Sequence, residues 1–175
     1  DGFVLTAPFY SRVNQAEIKW HFTMVKEACG DLPLYAYDIP ALVNGVKLDT
    51  NTVLSLAQEG VIAGLKDSSG IDSAMRAVML GRHERGLDGF VVLTGSELTV
   101  DTALFSGADG VVPGIGNIDP KGYVNIFNYV QAGEFDKARA EQERLFEMFG
   151  LVDVGPTNRM GRASSAIGAF KASLQ

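Results

Sequence analysis

The stretch Val61-Ile62-Ala63-Gly64-Leu65-Lys66-Asp67-Ser68-Ser69-Gly70 runs five apolar or small residues straight into a lysine, and a turn-forming Asp-Ser-Ser-Gly follows at once. A continuous apolar run bounded by turn signals reads as a fully buried parallel strand. Lys66 then falls at the carboxyl end of that strand, the side on which α/β folds build their active sites. A lysine held there against apolar neighbours is a candidate Schiff-base nucleophile. The plain alternative is a strand-end lysine whose ammonium reaches solvent, as most lysines do. An unperturbed lysine, with a pKa of about 10.4, is neutral in only about 1 copy in 2,500 at pH 7. Desolvation disfavours the ammonium form and raises that fraction.

Outward from this stretch the same alternation repeats. Gly2 to Pro8 reads as a short strand, Leu34 to Tyr37 as a second, Phe90 to Gly95 as a fourth and Val111 to Pro113 as a fifth. Helical spacing fills the intervals: Asn14 or Gln15 to about Ala28 with Ile18, Phe22, Val25 and Ala28 on one face, Asp49 or Thr50 to Gly60, Ile71 to Gly81, Ser96 to Phe105, and Asp119 to Gln131 with Pro120 in its first turn. Strand entries near residues 2, 33, 61, 89 and 110 have the spacing of a βα unit. Such units build a parallel sheet with right-handed crossovers. Residues 1–133 are therefore expected to hold five βα units, and residues 134–175 a helical extension with helices over 134–149 and 163–174. Five strands fit an open doubly wound sheet or five-eighths of a (β/α)8 barrel, which typically takes about 250 residues. Periodicity leaves both open.

Composition narrows the function classes. With 175 residues, 46% hydrophobic and 21% charged, the chain can bury a sizeable core. A net charge of -6 without any basic run argues against nucleic acid and acidic membranes as partners. The single Cys29 excludes an internal disulfide and a cysteine-rich metal site, and fits a reducing cytoplasm. No apolar stretch approaches the roughly 20 residues of a membrane span. His21 and His83 have no metal-ligand spacing, so no metal is expected. Asp1-Gly2 leads directly into a strand, and the chain stops inside a helical pattern at Gln175, so a piece of a longer protein is expected.

Other strand ends supply partners for Lys66. Tyr37 closes the second strand, and adjacent strands lie about 4.8 Å apart, so its phenol and the Lys66 amine can meet over one mouth. A phenol there can shuttle protons; otherwise it is an amphipathic rim aromatic. Tyr10, just past the first strand, is a candidate for the same relay or for a subunit contact. Gly95 allows close backbone approach to a ligand. Glu97 is placed either to hydrogen-bond substrate hydroxyls or simply to favour a helix N-terminus. Gly114-Ile115-Gly116 reads as close backbone packing around a small ligand.

Ala7-Pro8-Phe9-Tyr10, Tyr37-Asp38-Ile39-Pro40-Ala41-Leu42, Gly64-Leu65-Lys66-Asp67-Ser68-Ser69-Gly70, Gly95-Ser96-Glu97 and Gly107-Ala108-Asp109-Gly110 follow one another in this order. Order and spacing resemble the dihydrodipicolinate synthase / N-acetylneuraminate lyase family over nearly the whole chain. The resemblance implies strands 4–8 of a (β/α)8 TIM barrel plus C-terminal helices. It implies a metal-independent class I aldolase or lyase, with no cofactor beyond a covalent imine on Lys66. It also implies pyruvate or another 2-keto acid as partner, and a homo-oligomer, tetramer or dimer. By position, Lys66 resembles the imine-forming lysine, Tyr37 the proton-shuttling tyrosine and Ser68 a hydroxyl residue near the imine. Tyr10 resembles the tyrosine presented across a subunit interface. Gly95 and Ile115 resemble residues that offer backbone carbonyls to the site.

Departures from the pattern shift the expected substrate. The synthase branch carries an arginine where this chain has Leu42, so a lyase acting on a 2-keto-3-deoxy sugar acid or a related compound is the first expectation. A dihydrodipicolinate synthase-type condensing enzyme, a dehydratase, and a non-catalytic keto-acid-binding member are the alternatives. The lyase branch has Asp-Glu where this chain has Glu97-Leu98, and the serine of its last glycine loop is Gly114 here. The family's first three βα units, with the loop that binds the pyruvate carboxylate, have no counterpart in these residues.

Overall fold

The computed structural model describes residues 1–175. Five strands, β1 (Phe3–Thr6), β2 (Leu34–Asp38), β3 (Gly64–Asp67), β4 (Val91–Thr94) and β5 (Gly110–Val111), form one sheet in chain order. The pairings of β1 with β2, β2 with β3 and β3 with β4 are parallel. Seven α-helices accompany them: α1 (Gln15–Cys29), α2 (Thr50–Gln58), α3 (Asp72–Glu84), α4 (Val100–Phe105), α5 (Pro120–Gln131), α6 (Phe135–Met148) and α7 (Arg162–Ser173). A parallel sheet followed by helices agrees with part of a (β/α)8 barrel.

The chain forms two compact units, Asp1–Gly95 with Ser106–Gly110, and Ser96–Phe105 with Val111–Gln175. In the first unit the strands alternate with period two. Leu34, Ala36, Leu65 and Val92 are buried on one face, together with Ile18 and Phe22 of α1, Val53 and Leu56 of α2, and Met75 and Val78 of α3. On the other face Tyr35, Tyr37, Lys66, Val91 and Leu93 are only half-buried. α1 starts with a capping box, Asn14 Oδ1 accepting from the Glu17 N–H at 3.0 Å and Glu17 Oε2 from the Asn14 N–H at 2.8 Å. Gly30 ends the helix at φ +60°, a conformation that suits glycine. Ala28, expected on the apolar face of α1, is exposed.

Among the element boundaries that differ from the sequence pattern, two starts shift by three or four residues. β3 begins at Gly64 rather than Val61, because the Val61 and Ile62 N–H groups return to the Leu56 carbonyl and close off α2. α4 begins at Val100 rather than Ser96. Residues 96–99 form a turn instead, in which the Ser96 and Thr99 hydroxyls lie 2.9 Å apart. The second unit has its own core of Val100, Leu104, Ile115, Tyr123, Ile126, Ala138 and Leu145. No helix is long and apolar enough to cross a membrane.

Candidate active site

β2 and β3 place Tyr37 and Lys66 as direct register partners at their carboxyl ends. In β2 burial alternates, with Leu34, Ala36 and Asp38 buried and Tyr35 and Tyr37 half-buried, so the phenol projects to the half-open face. Lys66 sits between buried Leu65 and Asp67 and projects to the same face. Its Nζ lies 4.4 Å from the centre of the Tyr37 ring, where the π-face attracts the ammonium. The aromatic face thus holds the free end of the lysine at the mouth of the sheet.

The turn after Lys66 is fixed by its own side chains. Asp67 Oδ1 accepts from the Ser69 N–H at 2.7 Å, and Ser69 Oγ from the Ile71 N–H at 3.2 Å. The Ser68 N–H donates to the Asp38 carbonyl at 2.8 Å, and the Gly95 N–H to the Asp67 carbonyl at 2.6 Å. These bonds draw Lys66, Ser68 and Gly95 together. A Cβ on residue 95 would lie 1.8 Å from Ser68 Oγ and 3.1 Å from Lys66 Cε. Glycine is needed there for space.

On the reverse face Asp38 is buried and receives the Lys47 ammonium on Oδ2 and the Leu48 N–H on Oδ1 at 3.2 Å. Burial pushes its carboxyl above the usual aspartate range. Lys47 and the Leu48 N–H pull against that, and the charge of Asp67 adds to it. Sequence reasoning passed over both Asp38 and Asp67. Two carboxylates one residue beyond the candidate pair, in adjacent strands, were the available signal.

Tyr10 follows β1 and is 91% exposed. Leu42 ends the 3-10 turn Pro40–Leu42 after β2 and is 71% exposed.

The second unit holds the remaining candidates. Glu97 Oε1 accepts from the Ile115 N–H at 2.5 Å, and a Cβ on Gly114 would lie 3.3 Å from both carboxylate oxygens. One oxygen of its carboxylate is thereby tied to the glycine loop. The Ile115 side chain is core, and its carbonyl accepts from the N–H groups of Ile118 at 2.7 Å and Asp119 at 2.9 Å. Gln142, 5% exposed, is a further residue that the local pattern does not single out. Its Oε1 accepts from the Val100 N–H at 2.8 Å and its Nε2 donates to the Glu97 carbonyl at 3.0 Å. A polar residue between Ala138 and Leu145 on the apolar face of α6 was its only sequence signal. No group of three or more His, Cys, Asp or Glu side chains is placed to hold a metal ion.

Residues 1–159 match the dihydrodipicolinate synthetase family. The chain belongs to that family. As a family member it is 28% identical over 171 residues to 4-hydroxy-tetrahydrodipicolinate synthase of Methanothermobacter thermautotrophicus, covering 93% of this chain and 60% of that protein. It is 36% identical over 153 residues to the synthase of Corynebacterium aurimucosum, covering 87% of this chain and 47% of that protein. The chain thus spans about half the length of the curated relatives it matches. The fold of this dihydrodipicolinate synthetase family chain superposes on YagE, a prophage protein of the dihydrodipicolinic acid synthase family from E. coli K12 solved in complex with pyruvate. The TM-score is 0.85 and the identity 24%, covering 99% of this chain and 55% of YagE.

Proposed function

We propose that the protein is a Schiff-base-forming enzyme of 2-keto acids, with pyruvate as the keto acid and Lys66 as the amine. The observation that carries this reading is the Lys66–Tyr37 pair, register partners at adjacent strand ends with Nζ 4.4 Å from the ring centre. The neutral amine attacks C2 of pyruvate to give a carbinolamine, which loses water to an iminium. The iminium withdraws electrons, so C3 loses a proton and becomes an enamine carbon. That carbon attacks an aldehyde, forming a C–C bond, and water then releases the product from Lys66. Tyr37 accepts and returns the protons of the carbinolamine and of the aldehyde oxygen. Ser68, beside Lys66 and Gly95, hydrogen-bonds the keto acid as it is held at the amine. Gly95 keeps room for the imine carbons. Tyr10 reaches the relay only where a second subunit brings it, so a homo-oligomer belongs to the proposal.

Condensation is the direction we favour, because the similar curated proteins are named as synthases. A second reading runs the same steps backwards, cleaving a 2-keto-3-deoxy sugar acid to pyruvate and an aldehyde. Leu42 favours it: an exposed apolar side chain stands where the synthase branch carries an arginine. Product analysis separates the two. Pyruvate plus aspartate semialdehyde is consumed by the condensing enzyme, and a 2-keto-3-deoxy sugar acid is cleaved by the lyase. In D2O, either enzyme exchanges the methyl protons of pyruvate. Absence of exchange in the full-length protein contradicts both.

A further inference from the structure

Asp38 and Asp67 form a second register pair, one residue beyond Tyr37 and Lys66 and on the opposite face of the same two strands. Asp38 is 1% exposed and Asp67 5%. They share that face with Leu34, Ala36 and Leu65, so two like charges stand side by side with little water to solvate them. A fold needing only to fill this space is served as well by apolar side chains.

Their compensation is unequal. Asp38 has both oxygens engaged, by Lys47 and by the Leu48 N–H, and Lys47 Nζ also donates to the Leu48 carbonyl at 3.0 Å. Asp67 has one oxygen on the Ser69 N–H, while its buried Oδ2 accepts no hydrogen bond. A buried acceptor left without a partner in a native fold calls for an explanation. The main chain of the same two residues is tied to the candidate site. The Asp38 carbonyl holds Ser68 and the Asp67 carbonyl holds Gly95, so the pair anchors the main chain that carries Tyr37, Lys66 and their neighbours.

We propose that Asp38 and Asp67 are positioning residues: with Lys47 they make one charge-coupled unit behind the sheet that fixes the approach of Lys66 to Tyr37. The proposal rests on the reading of Lys66 as the imine-forming amine. The charged groups facing Asp38 are Lys47 and Asp67. They act on it in opposite directions, Lys47 favouring the carboxylate and Asp67 opposing it.

The test uses the full-length protein, its Asp67→Asn variant and its Lys47→Gln variant. The ionisation midpoint of Asp38 is read by carboxyl 13C NMR, which needs no activity. Pyruvate proton exchange is then followed against pH. In Asp67→Asn the Asp38 midpoint moves to lower pH, the acid limb of the exchange profile moves with it, and kcat falls by about 10- to 100-fold through misplacement of Lys66. In Lys47→Gln both move to higher pH. This second variant keeps the proposal open to test if the first does not fold. A midpoint unchanged in both variants overturns the proposal. So does a shifted midpoint with a wild-type profile and rate. Wild-type protein that exchanges no pyruvate protons contradicts the functional reading instead, whatever the NMR titration gives.

Discussion

Lys66 and Tyr37 face each other across the β2–β3 pairing, with the lysine nitrogen 4.4 Å from the centre of the tyrosine ring. Ring and hydroxyl have separable roles in this arrangement. Tyr37→Phe keeps the face that holds the ammonium and removes the proton carrier. Imine formation then slows by about 100- to 10,000-fold, the usual loss for a general acid–base group, while the affinity for pyruvate stays near wild type. Pre-steady-state trapping separates the two; equal losses in rate and affinity contradict a proton-relay role.

Gly95 is constrained from outside rather than by its own backbone. Its φ is not in the left-handed region, yet a Cβ there meets Ser68 Oγ at 1.8 Å. Gly95→Ala is expected to displace Ser68 and the Lys66 stem, at a stability cost of about 1–3 kcal/mol for overpacking. Its kcat loss exceeds what that destabilisation explains. A Gly95→Ala, Ser68→Gly double variant recovers part of the stability, measurable by thermal melts. No recovery removes the steric explanation.

Gln142 bridges the turn that replaces the expected start of α4. Gln142→Leu leaves the buried Val100 N–H without that partner, while the Glu97 carbonyl keeps the Tyr123 hydroxyl at 3.3 Å. Destabilisation of about 1–3 kcal/mol follows from the orphaned N–H, seen as a lowered urea midpoint.

Arg144 joins Asp119 at 2.5 Å and Glu141 at 2.9 Å. Its hydrogen bonds hold both carboxyls below their usual range. Depressed carboxyl pKa values mean that this stabilisation is complete above the ordinary carboxylate range, near pH 4, and is lost as pH falls through the folded-state values. Arg144→Gln costs about 1 kcal/mol or less at pH 7, because the guanidinium is half-exposed. It also flattens the acid side of the melting-temperature profile. An unchanged acid slope contradicts the assignment.

The βα rhythm was legible because apolar runs and turn residues alternate at regular spacing, and Lys66 with Tyr37 because each closes such a run. The start of α4 was not legible. Ser96 and Glu97 look like a helix N-terminus, and what unwinds them is Gln142, more than forty residues downstream. Glu97 and Ile115 look unrelated along the chain, whereas one carboxylate oxygen of Glu97 accepts from the Ile115 N–H. Asp38 and Asp67 look like ordinary turn formers until the register sets them side by side. Long-range pairing decided each of these, and local pattern does not carry it.

The most direct test of the account is reductive trapping. Full-length protein is incubated with pyruvate and borohydride, digested, and read by mass spectrometry. One pyruvate-derived adduct is expected, on Lys66, absent in Lys66→Arg. No adduct, or an adduct on another lysine that persists in Lys66→Arg, contradicts it.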